Sequence, residues 1–270
     1  MDAENTENTE NTGNAPYVRY EVGEGAATLT LDSPHNRNAI SSKLLRELHE
    51  GLRSAAADKD VRVVVLTHTG NTFCAGADLS EASSSDDDPP ELARQRTHQM
   101  TEMLRAVVEL PKPVIACLNG HVRAGGMGLV GACDVAVAGA DSTFALTEVR
   151  LGLAASIISL TVLPRLDARA ASRYFLTGEK FGYRIAEDIG LVTVGSEDPA
   201  ETVDELVDQF MQASPQGLAE SKALTTRAVL EGFERYAADL EAQSAQLFGS
   251  DEAREGMMAF LQKRRPSWAP

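Results

Sequence analysis

The residue order predicts an α/β core followed by a helical C-terminal region. Two apolar, β-branched runs, Val61–Thr67 and Val114–Leu118, have the length and composition of buried strands, and each runs into a polar turn. Stretches of helical character separate these strands. From Ser156 onward only helix starts are found. Alternation of strand and helix followed by helices is the signature of an α/β core with helices added at one end.

Taken in order, residues 1–15 repeat Glu-Asn-Thr three times with almost nothing apolar, too little to offset the entropy of ordering, so a disordered tail is expected. Tyr17–Glu21 and Ala26–Leu31 flank Gly23-Glu24-Gly25 and predict a hairpin. Ser41 or Ser42 caps a helix that carries Leu44, Leu45, Leu48 and Leu52 on one face and ends near Ala57. The Val61–Thr67 strand enters the loop Thr69–Thr72. The acidic stretch Ser83–Pro90 reads as a surface loop or lid. Glu91–Glu109 is helical and is closed by Pro111 and Pro113. Val114–Leu118 ends at Asn119-Gly120, Gly125 opens a short helix, and Asp134–Ala138 and Thr143–Leu146 return as strands. Helix starts are expected at Ser156, Asp167, Tyr183, Pro199, Pro215, Arg235 and Asp251.

Composition excludes several classes. With 25 Lys+Arg against 40 Asp+Glu the net charge is -15, a field that repels nucleic acid and anionic membrane surfaces, so neither is an expected partner. No apolar run reaches the length of a bilayer span, and no secretory or transit signal is legible, so a cytoplasmic location is expected. Cys74, Cys117 and Cys133 show no metal-ligand spacing and suit reduced thiols, with neither metal nor disulfide framework expected. The one dense basic patch is Lys263-Arg264-Arg265.

Two segments that follow the buried strands share a physical theme. Phe73-Cys74-Ala75-Gly76-Ala77-Asp78-Leu79 and Asn119-Gly120-His121-Val122-Arg123-Ala124-Gly125-Gly126-Met127-Gly128 both place small residues where backbone must come close to something. Main-chain N–H groups there are free to meet a ligand oxygen, and the helix opening at Gly125-Gly126 adds the positive end of its dipole. Either segment alone is also what a tight strand-to-helix turn requires.

Together with Lys112-Pro113-Val114-Ile115-Ala116, Cys133-Asp134-Val135-Ala136 and Phe144-Ala145-Leu146-Thr147-Glu148, in this order, the two segments resemble the crotonase family of enoyl-CoA hydratases and isomerases over residues 17–265. The resemblance implies a crotonase-like spiral of ββα units over residues 16–200. It also implies a helical trimerisation region over 201–270, a homotrimer or homohexamer, and an acyl-CoA thioester as substrate, with no cofactor beyond the coenzyme A that the substrate carries. It makes the N–H groups of Ala77 and Gly125 the pair that holds the thioester oxygen, and Glu148 the acid/base. Ala75, Asp78, Leu79 and Gly128 line the substrate by the same resemblance, His35, Asn36 and Arg37 meet coenzyme A, and Phe260 and Lys263 reach it from the C-terminus.

The departure is Gly128, where two-glutamate hydratases carry a second carboxylate. The acyl group or an ordered water is expected in the space it leaves. His121, Arg123 and Glu81 are the neighbouring groups that could assist Glu148. Asp78 reads equally as the cap of a following helix, and Glu148 as a surface partner of Arg150. Cys74 has no histidine beside it in sequence and reads poorly as a nucleophile. Ala154–Ser159 is bulkier than the family's Gly-rich stretch, which implies a reshaped acyl pocket. With Gly128, Leu146–Leu153 looks like a branch that includes methylglutaconyl-CoA-type hydratases. A 2-enoyl-CoA hydratase working with Glu148 alone is therefore the first expectation, a delta-isomerase the second, and a CoA-thioester binder without turnover the third.

Overall fold

A computed structural model describes residues 15–78, 81 and 89–270. The expected tail, apart from Ala15, lies outside the described residues, as do Leu79 and the acidic stretch Ser83–Asp88. The first two strands, β1 (Val18–Gly23) and β2 (Ala26–Leu31), pair antiparallel with Gly23 opposite Ala26. The turn between them has positive φ at both Glu24 (51°) and Gly25 (80°), the two-residue geometry whose twist matches the strands it joins.

Each of the next units adds two strands, not one. Strand β3 (Val63–His68) is followed by β4 (Thr72–Cys74), β5 (Val114–Leu118) by β6 (His121–Arg123), and β7 (Val135–Ala138) by β8 (Thr143–Ala145). The first member of each pair joins a six-stranded sheet of order β1-β2-β3-β5-β7-β10, the second a four-stranded sheet of order β4-β6-β8-β9. Strands β9 and β10 are Phe181–Gly182 and Val194–Gly195. Pairing is parallel throughout except for β1 with β2 and β8 with β9. The chain thus turns a corner between two sheets on every circuit, the spiral that the family resemblance implies.

Helices close the circuits. Helix α1 (Ser42–Ala57) is capped by the Ser41 side chain, which accepts from the Leu44 N–H, and it buries Leu44, Leu45, Leu48 and Leu52. Helix α2 (Pro89–Glu109) begins two residues before the expected start, because Pro fits a first helical turn, where no N–H is needed. Helix α3 is Gly125–Ala132. Strand β3 is apolar on both faces because both are covered: Val64 and Leu66 join the main core, while Val63 and Val65 pack with Ile115, Val137 and Val203 beneath α7 (Pro199–Met211).

The C-terminal region is helical, through α4 (Ser159–Val162), α5 (Ala168–Thr177), α6 (Tyr183–Asp188), α7, α8 (Pro215–Phe248) and α9 (Asp251–Leu261). Two expected helix starts are corrected. Ser156–Ile158 forms a turn and α4 begins at Ser159. Arg235 lies inside α8, a continuous 34-residue helix, because α8 packs along α2 on both sides of this point, from Lys222 against Val107 to Glu241 beside His98, and nothing in Glu234-Arg235-Tyr236 breaks it. Buried Lys222 pins α8: its Nζ meets Asp134 Oδ2 at 2.8 Å and donates to the carbonyls of Val107 (2.9 Å) and Lys112 (3.1 Å). Asp134 Oδ2 also accepts from the Val114 N–H, so this carboxylate ties β5 and α8 together just ahead of β7.

Candidate functional site

Two backbone turns meet where β4 and β6 end. After β4, Gly76 adopts a left-handed φ of +94°, and a Cβ on it would lie 2.9 Å from the Ala124 Cβ and 3.9 Å from the Gly125 nitrogen. Only glycine permits that approach. Ile40 and Ala77 form a parallel bridge, in which the Ile40 N–H donates to Gly76 O (2.8 Å) and the Asp78 N–H donates to Ile40 O (3.0 Å). Those bonds flank Ala77, so its own N–H faces away from Ile40, and it finds no acceptor among the described residues.

The second turn is strained. Ala124 has φ 45° and ψ −120°, a combination rarely adopted by a residue with a Cβ, and it orients the peptide whose N–H belongs to Gly125. The Ala124 N–H donates to Ala145 O (3.2 Å) and its carbonyl accepts from Met127 (2.8 Å), which hold this backbone in place. Gly125 opens α3, so its N–H is among those without an intrahelical acceptor, at the positive end of the helix dipole.

Glu148 follows directly. Three residues after Ala145, it begins a 3-10 turn, Glu148–Leu151, closed by Gly152 in the left-handed conformation. The residue is half-buried, and its Oε2 is out of solvent contact with no hydrogen-bond partner among the described residues. Burial penalises the charged form and pushes the carboxyl up to about 7. Its pairing with Arg150, one of the two readings of the sequence, is corrected: Arg150 Nε donates instead to Thr177 O (3.1 Å). Helix α9 braces the same turn, since a Cβ on Gly256 would lie 2.5 Å from the Leu151 carbonyl and one on Gly152 would lie 2.6 Å from Glu252 C.

The space over Gly128 is filled, which corrects the expectation of an acyl group or water there. A Cβ at Gly128 would lie 2.5 Å from Ile158 Cγ2, 2.9 Å from Ile158 Cβ and 3.4 Å from Leu104 Cδ1. Both side chains are buried, at 4% and 0% exposure, and the Gly128 carbonyl accepts from Thr161 Oγ1 at 2.9 Å. A carboxylate at 128 has no room unless Ile158 moves.

The loop holding His35, Asn36 and Arg37 joins the site through backbone and side chain. The Ala75 N–H donates to Arg37 O (3.1 Å), and Asn36 Nδ2 donates to Asp78 Oδ2 (3.1 Å), while Asn36 Oδ1 is buried without a partner among the described residues. Asn38, missed as a site residue, organises this loop. Fully buried, it accepts from the Ser33 N–H (2.7 Å) and donates to Thr69 O and Thr72 O (3.2 and 2.8 Å). A side-chain amide in the polar loop Ser33–Ala39 was its only signal. His35 stacks edge-on against Tyr17, with centroids 5.4 Å apart. The helix that Asp78 was expected to cap lies outside the described residues.

Phe260 and Lys263 lie at the far end of α9, both exposed. Among the described residues no hydrogen bond or ion pair ties them to the His35–Arg37 loop or to Ala75–Asp78. The three neighbours expected to assist Glu148 are engaged elsewhere. Glu81 accepts from the Ser42 N–H and faces Arg96 at 3.7 Å; Arg123 donates to Thr143 O and Oγ1; His121 Nδ1 meets the same hydroxyl at 3.0 Å. Cys74 is buried, which pushes its thiol up to about 12 and keeps it protonated. Cys74, Cys117 and Cys133 are free thiols. No helix among the described residues is long and apolar enough to cross a membrane.

The chain matches the family model for enoyl-CoA hydratase/isomerase over residues 21–270. It is 33% identical to a probable enoyl-CoA hydratase of Bacillus subtilis over 93% of this chain and 98% of that one. It is 30% identical to the 1,2-epoxyphenylacetyl-CoA isomerase of Escherichia coli, with the same coverage. Among solved structures, a putative enoyl-CoA hydratase from Mycobacterium avium paratuberculosis superposes with a TM-score of 0.89 at 60% identity, covering 94% of this chain and 99% of that one.

Proposed function

The chain belongs to the enoyl-CoA hydratase/isomerase family, and from that premise we propose that it hydrates a 2-enoyl-CoA thioester with Glu148 as its one acid/base carboxylate. The observation that carries the reading is the Glu148 carboxyl itself: buried, unpartnered at Oε2 among the described residues, pushed up to about 7, and three residues after Ala145, which pairs with Arg123 just ahead of Gly125. The thioester oxygen rests between the Ala77 and Gly125 N–H groups, where the negative charge of the enolate develops. Preorganised donors of this kind contribute roughly 3–4 kcal/mol each.

Ionised Glu148 takes a proton from water as the oxygen adds to Cβ, and the π electrons move onto the thioester oxygen. The enolate collapses as protonated Glu148 returns that proton to Cα. Water is added across the double bond and the carboxylate is regenerated, with coenzyme A serving only as the carrier. A carboxyl near pH 7 suits both halves of the exchange.

A second reading is favoured by the filled space over Gly128. An isomerase that moves a proton from C2 to C4 of a 3-enoyl-CoA needs one base and no positioned water. Loss of conjugated enoyl absorbance on adding crotonyl-CoA or other 2-enoyl-CoA thioesters, branched glutaconyl ones included, tests hydration; gain of conjugation from a 3-enoyl-CoA tests the isomerase. Glu148→Gln lowers the reaction about a thousandfold, within the range for positioned acid/base groups, and still binds acyl-CoA. Activity retained in Glu148→Gln would remove this residue from the mechanism. In the proposed enzyme, coenzyme A lies along the His35–Arg37 loop, Phe260 and Lys263 approach it from the end of α9, and the chain assembles as a trimer or hexamer.

A further inference from the structure

The turn that carries Glu148 is held from both sides. Residues Glu148–Leu151 make a single 3-10 turn whose ends are tied together, because the Glu148 carbonyl accepts from the Gly152 N–H and from the Leu153 N–H (3.0 Å). A displacement of Leu151–Gly152 therefore moves the backbone of Glu148. On one side α9 lies on the turn with no side chain between them: a Cβ on Gly256 would lie 2.5 Å from both the carbonyl carbon and the carbonyl oxygen of Leu151, and 2.7 Å from its Cα. Gly256 is buried inside α9, where alanine would serve the helix better, so it is the contact that calls for glycine. On the other side Arg150 Nε donates to Thr177 O (3.1 Å). Gly178, which ends α5 with a left-handed φ of +60°, makes room for that side chain, since a Cβ there would lie 3.1 Å from Arg150 Nε and 3.0 Å from Leu146 O.

We propose that Gly256 and Arg150 are positioning residues that set where the Glu148 carboxyl stands, one through α9 and the other through the end of α5, an inference that rests on the reading of Glu148 as the acid/base. Both act through the backbone of the turn. Ordinary contact of a new Cβ with Leu151 begins at 3.4 Å, so a methyl at Gly256 must part helix and turn by about 1 Å. A misplacement of about 1 Å at a catalytic group costs on the order of a hundredfold in rate. Burial is what holds the carboxyl up at about 7, so a displaced turn that admits water lets it fall toward the ordinary carboxylate range. The loop proposed to hold coenzyme A is bonded instead to Ala75 and Asp78. Loosening the turn should therefore damage turnover and leave binding nearly intact.

The test compares the parent with Gly256→Ala, Arg150→Met and a control, Gly232→Ala in α8, where an added Cβ would meet nothing within 4 Å. Turnover is followed on 2-enoyl-CoA and 3-enoyl-CoA thioesters, and binding from the melting shift that a saturated acyl-CoA produces. The titration of Glu148 is read separately, from the pH dependence of the stability difference between each chain and its Glu148→Gln counterpart. Gly256→Ala is expected to lower kcat by about 30-fold to 100-fold with KM and affinity within about threefold. It should also move the acid limb of kcat/KM to lower pH and shrink the pH-dependent stability difference. Arg150→Met should do the same with a loss of about threefold to tenfold in kcat, and Gly232→Ala should change neither kcat nor the pH limb. A folded Gly256→Ala with parental kcat and an unmoved limb overturns the proposal, as does a loss confined to KM or to stability. If the parent turns over neither thioester, or Glu148→Gln is as active as the parent, the base assignment falls. The stability titration then judges the seat alone: a lowered Glu148 titration in Gly256→Ala supports it, and an unmoved one overturns it. Should Gly256→Ala fail to fold, Arg150→Met, at an exposed position, decides on the same readouts, with unchanged kcat and pH limb overturning the proposal.

Discussion

Gly128→Ala is the most discriminating single substitution in this molecule, because ordinary helix energetics and local packing disagree on its sign. In the middle of α3, replacing Gly with Ala stabilises a helix by about 0.8–1 kcal/mol through backbone entropy. Here the new methyl would stand 2.5 Å from Ile158 Cγ2 and 2.9 Å from Ile158 Cβ. These atoms sit at the branch of a stiff side chain, so relief requires a backbone shift between α3 and α4, and overpacking of this kind costs about 1–3 kcal/mol. The middle of that range leaves a net destabilisation of about 1 kcal/mol, or about 2–4 °C in Tm for a domain of this size. In an Ile158→Gly background both of these atoms are gone, leaving only the ordinary contact with Leu104, and the same substitution should stabilise by about 1 kcal/mol. The coupling between the two sites is then about 2 kcal/mol, measured by urea denaturation of the four chains at one protein concentration. Stabilisation of the parent by Gly128→Ala, with no coupling to position 158, would refute the packing argument.

Other expectations follow from buried charges. Between about pH 4.5 and 7 the folded chain holds a proton on Glu148 that the unfolded chain has released. Its contribution is therefore fully present below the unfolded value and is lost as pH rises through the folded one. Glu148→Gln removes this titration and should be more stable than the parent by on the order of 3 kcal/mol at pH 8, with the difference fading below pH 5 in denaturation curves; a pH-independent difference would contradict the burial argument. Lys222→Met leaves the Asp134 carboxylate and two carbonyls without their cation and should cost about 3 kcal/mol in urea. A loss under 1 kcal/mol would show that water replaces the ammonium.

The strands at Val63–His68 and Val114–Leu118 were legible because β-branched runs covered on both faces leave little ambiguity. The site's backbone was legible because glycine and alanine stand where only small residues fit: Gly76 against Ala124, Gly125 beneath Ile40. Strands β4 and β6 were not, since three-residue segments carry no period, and their pairing comes from stacked circuits of the chain. Gly128 was legible only as a missing side chain. What fills its place lies thirty residues downstream, at Ile158, and sequence separation conceals such a complement. The break expected at Arg235 failed for the opposite reason: a polar stretch on an exposed helix face resembles a boundary when its packing along α2 is unseen.

The contact between α9 and the turn bearing Glu148 bears on the order in which the molecule can be completed. The seat for Leu151-Gly152 is made by Glu252–Gly256, about a hundred residues downstream, and closing such a span costs about 4 kcal/mol of chain entropy. During synthesis, the two sheets and the turns at Ala77 and Gly125 have all their strands before that partner exists. The turn bearing Glu148 is thus the last part of the candidate site to be secured, and a nascent or proteolytically trimmed chain lacking α9 would hold the backbone at Ala77 and Gly125 in place while Glu148 remained loose.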